Sequence, residues 1–482
     1  MRYRPRLIVG RKAEQEILSK AIQSSDAEMV AVIGRRRVGK TFLVKSYYSG
    51  QIAFEVTGLQ NAPRNEQIRN FTNELNRAMG SPVPILPPNN WLDAFYLLIE
   101  YLETLSADEK PVVFFDELPW LATSRSGFLR ALSNFWNSWA AQRQIVVVVC
   151  GSAASWMIKQ VVHNKGGLYN RITRRVFLDP FTLAEVKAYL QSRDVRLDHY
   201  QILQLYMVMG GIPHYLKEVE PGESAVQAID RICFTKSGLL SNEFSSLYFA
   251  LFDDAERHTQ VIRALAEKPY GMTRKEILKK AKISDGGGGT KVLDELVSSN
   301  FISSFYDFSQ KKKNIKYRLT DEYSLFYLKF MEIQGRPKVN SWKQISQSQS
   351  WRSWSGYAYE SICLKHTKQI IEAMKISGMI SEAYVYTSQN TDEIPGFQID
   401  LLIDRQDHII TLFEIKFYKD NWLMSKVDSE DIRRKATLFK AAIKTNKQIQ
   451  IGVITTFPII ENQYSKGLLD HKFDMDVLFL KK

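Results

Sequence analysis

Between residues 29 and 178, five short apolar runs (29–33, 52–57, 112–115, 145–150 and 176–178) alternate with stretches whose apolar positions recur at helical spacing, among them 65–79, 91–105 and 128–141. Runs this short, apolar without alternation, fit strands buried on both faces, and the helices between them supply the covers. The pattern predicts a parallel sheet in an α/β fold. Asn89 and Asn90 stand where the helix beginning near Trp91 needs a cap,. The proline-rich stretch 81–88 reads as a loop. From 182 to about 251 the spacing is helical throughout.

From about 257 to 320 the pattern shortens to three helices, near 261–266, 274–281 and 290–299, followed by strands at 301–305 and 316–319. Thr273 and Glu276 have the spacing of a capping box. The four glycines within 284–289 predict a turn. The polar stretch 335–355 reads as a linker, after which α and β patterns mix again,.

Chemistry enters with the turn after the first apolar run. Gly34, Arg35, Arg36, Arg37, Val38, Gly39, Lys40 and Thr41 follow a strand pattern and precede a helical one. This is G-x-x-x-x-G-K-[ST] in the context that a phosphate-binding loop requires. Glycines let the backbone wrap an anion, and the N–H groups opening the helix point at it. Lys40 is placed to reach the β- and γ-phosphates and Thr41 to ligate Mg²⁺. The side chains of Arg35, Arg36 and Arg37, at variable positions, are expected to point outward. The run 112–115 ends in Asp116 and Glu117. An aspartate there can hold Mg²⁺ through water, and the next glutamate can orient and deprotonate an attacking water. Ser152, at the end of a four-valine strand, would lie beside the γ-phosphate.

With 482 residues the chain exceeds one core, and 45% apolar residues suffice for several,. A net charge of +13 favours a polyanionic partner, most simply nucleic acid,. Cys150, Cys233 and Cys363 are far apart and lack metal-ligand spacing,. No apolar run approaches membrane-spanning length, and the first residues lack a signal-peptide core. A cytoplasmic protein without membrane contact is expected.

With these motifs the chain resembles the AAA+ superfamily, and more narrowly the archaeal-type ATPases, over most of residues 5–335. Further pieces match. Gly10 and Arg11 resemble the box beside the adenine, and Gly151 with Ser152 the sensor region. Gly167, Tyr169 and Arg171, with Gly210 to Pro213, resemble later boxes. The resemblance implies ATP and Mg²⁺ as cofactors, assembly into homo-oligomers, and a phosphate-reaching arginine in the region of Arg171, Arg174 and Arg175. It implies a core over 1–180, a helical lid over 181–255 and a winged helix over 256–335. Contact with DNA would fall to Lys291 and to Lys311, Lys312 and Lys313 of the wing. A packing or regulatory role for that module is equally open.

Two strands expected at 399–403 and 409–416, turning near Gln406, place Asp400 opposite Phe413 and beside Glu414. Glu414 and Lys416 share one face, and a helix upstream carries Glu360. Asp400 and Glu414 could hold Mg²⁺ against a phosphodiester, Lys416 could position the attacking water, and Glu360 could complete the metal shell. Trp422 and Lys426 extend this face without an assigned role. The pattern resembles the PD-(D/E)XK nuclease superfamily, a restriction-endonuclease-like α/β domain over 336–482. A DNA-binding ATPase coupled to a metal-dependent nuclease is thus one expectation. The alternative is an ATP-dependent switch whose C-terminal domain binds a partner and cuts nothing.

Overall fold

The computed structural model describes residues 7–481 except 81–82, 107–108, 124, 164–167, 169, 307, 309–314, 333–340 and 389–395. The chain divides into two compact units, Met1–Asp179 and Pro180–Lys482.

The first unit is built on a five-stranded sheet of β1 (Glu28–Ile33), β2 (Ile52–Thr57), β3 (Val112–Asp116), β4 (Val146–Gly151) and β5 (Arg174–Phe177), in the order β2-β3-β4-β1-β5. Every pairing is parallel. The three central strands are buried along their whole length, which is why they read as unbroken apolar runs,. Helices Arg64–Met79, Trp91–Glu103 and Phe128–Ser138 cover the sheet. Their apolar stripes meet in an aromatic cluster of Phe71, Trp91, Phe95, Phe115 and Phe128. Asn90 accepts the backbone N–H of Asp93 and so caps the second helix. Ile33, at the C-terminal end of central β1, feeds directly into the glycine loop.

The second unit begins with helices, among them Leu183–Gln191, His199–Met209 and Ala225–Phe234. Three more follow, Ala255–Ala266, Arg274–Lys280 and Gly287–Ser298, with a three-stranded antiparallel sheet of β6 (Met272–Thr273), β7 (Ile302–Tyr306) and β8 (Ile315–Leu319) in the order β6-β8-β7. Thr273 and Glu276 form the capping box. The glycine run behaves differently from the expected turn: its last three members open the helix Gly287–Ser298. Gly289 packs so closely on Leu278 that a Cβ there would lie 2.7 Å from Leu278 Cδ2. The hairpin tip with Lys311, Lys312 and Lys313, like Gly167 and Tyr169, lies outside the described residues.

Residues 341–355 are not a linker. They form Ser341–Ile345 and the start of Gln349–Lys365. Trp342, 1% exposed, stacks on Phe234 and meets Phe326, Phe330 and Trp351. The polar residues between the tryptophans face outward, and three large rings supply the apolar area that the average composition conceals. Residues 335–340 lie outside the described residues.

The unit ends in a mixed sheet of β9 (Ser381–Thr387), β10 (Gln398–Arg405), β11 (Ile409–Lys416), β13 (Gln448–Thr455) and β15 (His471–Phe473), ordered β15-β13-β11-β10-β9. The short β12 (Trp422–Leu423) and β14 (Ile459–Ile460) pair beside it. β9, β10 and β11 are antiparallel, whereas β11, β13 and β15 run parallel, with Lys426–Ile443 as the crossover helix between β11 and β13.

Candidate functional site

The phosphate loop closes on itself. Lys40 Nζ donates to the Arg35 carbonyl at 3.0 Å. Gly39 has φ 95°, a conformation that favours glycine, and Arg37 also lies in the left-handed region,. These two turns carry the chain from β1 into the helix Lys40–Tyr47, whose first N–H groups remain without intrahelical partners. The same turns direct Arg35 inward. Its side chain is 2% exposed, against the expectation that all three loop arginines point outward. Thr41 Oγ1 donates to Asp116 Oδ2 at 2.7 Å, so the end of β3 meets the start of that helix. This oxygen set suits a hard divalent cation, and the loop suits a polyphosphate.

Glu117 follows Asp116 with φ 46°, a left-handed conformation that a non-glycine residue adopts only when its surroundings impose it,. The turn swings its carboxylate to β4. Ser152 holds Glu117 Oε2 twice, from Oγ at 2.7 Å and from the backbone N–H at 3.2 Å. Gly151 permits this approach, since a Cβ there would lie 2.7 Å from Met157 Sδ and 2.8 Å from Pro119 Cδ. Asp116, Glu117 and Ser152 therefore form one connected group. A base held on one oxygen by a second residue keeps its other oxygen for a water.

Gly10 and Arg11 are both left-handed, with φ 65° and 56°. Arg11 is buried and pairs with Glu14 at 3.6 Å. Of the basic cluster, Arg174 and Arg175 begin β5 itself and only Arg171 precedes it; Arg174 is bound to Glu28 at 2.6 Å, whereas Arg171 and Arg175 are exposed. Glu28 lies below the usual carboxylate range. Burial pushes it up, and hydrogen bonds from Arg174 and Thr173 more than offset that.

In the second unit, β10 and β11 pair as Leu401↔Phe413 and Asp404↔Ile410. One further step in this register sets Asp400 across from Glu414, not Phe413. The expected turn was one residue too short: the loop spans 406–408, and His408 adopts φ 63°. A three-residue loop ending in a left-handed residue shifts every pair by one position. On its other edge β10 bulges between Ile399 and Leu402, which sets the direction of Asp400,. Asp400 Oδ2 accepts the Ile415 N–H at 2.9 Å.

Glu414 is flanked by two lysines, Lys416 at 2.8 Å and Lys435 at 2.9 Å. Lys435 comes from the crossover helix, reaches both carboxylate oxygens and also meets Asp431 at 3.3 Å. Lys435 is not among the residues expected from the sequence. Its only sequence signal is the Asp431–Lys435 spacing of one helical turn. Burial lowers the affinity of both lysines for a proton, but the Glu414 charge outweighs it and holds both above the usual ammonium range. Trp422 is buried against Tyr418, and Lys426 is exposed beside Glu430, so neither extends the group.

Burial, then the charges of Asp400 and Glu414, pushes Glu360 up to about 9. Burial and Glu414 push Asp400 to about 7. This mutual repulsion is what a divalent cation would relieve. Yet among the described residues no three His, Cys, Asp or Glu side chains form a group that could hold a metal. Asp400 lies between the other two acids: it meets Glu414 across the sheet and shares with Glu360 the wall of a cavity of about 800 Å³.

Residues 8–219 match the family model described as an ATPase domain predominantly from Archaea. An uncharacterized protein of Methanocaldococcus jannaschii is 20% identical over 328 residues, covering 67% of this chain and 69% of that one. The Walker-type ATPase paby2304 of Pyrococcus abyssi shares the fold at 18% identity and TM-score 0.51, covering 68% of this chain and 98% of its own. The ORC2 protein of Aeropyrum pernix, in ADPNP–ADP complexes, is 16% identical with TM-score 0.45, covering 71% and 96%. Residues 8–219 are thus an ATPase domain of the archaeal type. Among the described residues no helix is long and apolar enough to cross a membrane.

Proposed function

We propose that the protein hydrolyses ATP and couples this turnover to a DNA-binding, metal-dependent nuclease in its C-terminal part. In the first unit Lys40 and the loop N–H groups bind the β- and γ-phosphates, and Thr41 and Asp116 would hold Mg²⁺, whose charge would stabilise the transferring phosphoryl group. Glu117, oriented by Ser152, takes the proton of the attacking water. The bond from the γ-phosphorus to the β–γ bridging oxygen breaks, leaving ADP and phosphate. Arg171 or Arg175 would reach a neighbouring subunit's nucleotide in an oligomer, since Arg174 is engaged by Glu28.

In the second unit the helices 255–298 with their hairpin would act as a winged helix on DNA, and the mixed sheet as a nuclease domain over 336–482. Asp400 and Glu414 would hold the divalent cation, which would supply Lewis acidity at the scissile phosphate. Lys416 and Lys435 position the attacking water and balance the charge on the phosphate. Water adds to phosphorus and the P–O bond to the leaving strand breaks. The observation that carries this reading is the convergence of Asp400, Glu414, Lys416 and Lys435 on one face of a buried sheet.

Cleavage of linear and circular DNA by wild type and E414A, with Mg²⁺ or Mn²⁺ and with or without ATP, tests it. Cutting lost in E414A is expected. Intact ATPase activity with no cutting by wild type would refute the nuclease reading. It would leave the ATP-dependent switch, which the engagement of both Glu414 oxygens by Lys435 favours.

A further inference from the structure

We infer that the cavity beside Asp400 binds one nucleotide unit of a single DNA strand, its phosphate held by Arg318 and its base against Tyr270 and Tyr357. This deepens the nuclease reading and rests on it for the identity of the strand. The cavity has a volume of about 800 Å³, the size of a small-ligand site, and is lined by Tyr270, Arg318, Tyr357, Glu360, Gln398 and Asp400,.

Its walls come from several stretches far apart in sequence. Arg318 lies on β8 of the small antiparallel sheet, whereas Glu360 and Asp400 belong to the helix Gln349–Lys365 and to β10. Arg318 lies over the Phe305 ring at 5.4 Å, and its strongest polar contact is a 3.4 Å bond to Ser303 Oγ. Among the described residues no carboxylate lies within ion-pair distance of it, unlike Arg263 on the same cavity, which Glu332 holds at 2.5 Å. A guanidinium on a concave wall with its donors uncommitted to a carboxylate is a ready contact for a phosphate, which it can bind through two parallel N–H bonds.

Tyr270 and Tyr357 meet edge to face at 5.6 Å and are 44% and 40% exposed. Half-exposed rings at a polar cavity offer the surface on which a base stacks, whatever its sequence. Arg318 would then be a positioning residue for the strand that Asp400 and Glu414 act on. The hairpin's placement, through β8, would set where that strand lies.

The test is binding of a fluorescein-labelled single strand of about eight nucleotides, in EDTA so that no cutting intervenes, to the full chain and to R318A, R318K and Y270A. A free deoxynucleoside monophosphate is the competing arm. R318A should weaken binding at least about tenfold and R318K should restore part of it. R318A gives up the Phe305 and Ser303 contacts, so its melting temperature is measured alongside and should stay well above the assay temperature. Strand binding within twofold of wild type in R318A overturns the inference, as does a fall in melting temperature that accounts for the loss. Displacement of the strand by monophosphate supports the site as a one-nucleotide pocket. Wild-type binding through Arg318 without any cutting refutes the nuclease reading alone. Cutting by wild type and R318A alike refutes this inference alone.

Discussion

Replacing Glu360 by glutamine should change how stability depends on pH. The Glu360 carboxyl is pushed to about 9 in the folded chain, first by burial and then by the charges of Asp400 and Glu414. Its ordinary value is 4.5. Between those values the folded state keeps a proton that the unfolded chain has lost. Stability from this group is therefore full below pH 4.5 and declines as pH rises towards 9,. Each pH unit in that window costs about 1.36 kcal/mol for one proton. From about pH 5.5 to about pH 7.5 the wild type thus loses on the order of 3 kcal/mol through Glu360. Asp400, pushed to about 7, adds to the loss over the lower part of this range. Glutamine keeps the size of the group and cannot ionise, so E360Q should lose only the Asp400 part. At about 2–4 °C per kcal/mol, the melting temperature of E360Q should exceed that of wild type by about 5–10 °C more at pH 7.5 than at pH 5.5. Calorimetry of both proteins over this range measures it directly. Parallel decline of the two melting curves would refute the reasoning, because Glu360 would then be ionised in the folded state.

Four further outcomes follow from the same geometry. S152A removes the hydroxyl that holds Glu117 Oε2 and should lower the kcat of ATP hydrolysis by about tenfold while leaving the KM for ATP within about twofold, as steady-state phosphate release will show. K40A should abolish ATP binding, checked by titration with a fluorescent analogue, since it removes the ammonium that the Arg35 carbonyl holds within the loop. N90A loses the cap of the helix Trp91–Glu103 and should destabilise the first unit by about 1 kcal/mol in urea titration. K435M leaves the Glu414 carboxylate with Lys416 as its remaining lysine. Nuclease activity should fall while E414A-like loss of metal response does not appear, which a Mn²⁺ titration of cleavage will separate.

The parts of this molecule that were legible in sequence are those whose chemistry constrains neighbouring residues. A phosphate loop needs its glycines, lysine and threonine within eight positions, and buried parallel strands need unbroken apolar runs, so Gly34 to Thr41 and β1 to β4 could be read directly. The same holds for the capping box of Thr273 and Glu276 and the cap at Asn90. What failed was set by single residues or by long-range closure. The β10–β11 register turned on whether His408 belongs to the loop, and one residue moved Asp400 from Phe413 to Glu414. The stretch 341–355 averages as polar, yet three tryptophans anchor it in the core. Lys435 reaches Glu414 because a crossover helix returns across the sheet, and no spacing rule links the two.

Lys435 also decides how the C-terminal group should be understood. A carboxylate held on both oxygens by an ammonium is stabilised whether or not a cation is bound, so a divalent ion that ligates Glu414 through its remaining lone pairs is opposed by the Lys435 charge and binds best when that ammonium moves off,. Displacement has somewhere to go, because Asp431 stands 3.3 Å from the same ammonium, one helical turn away,. The lysine can therefore pass from Glu414 to Asp431 without losing a carboxylate partner. D431A removes that alternative, and Lys435 then competes with the metal undiminished. The expected result is a weaker apparent metal affinity, by about tenfold, with the maximal cleavage rate unchanged at saturating Mn²⁺. An equal loss of rate at every metal concentration would mean that Asp431 acts on the strand itself, and an unchanged titration would mean that Lys435 never leaves Glu414.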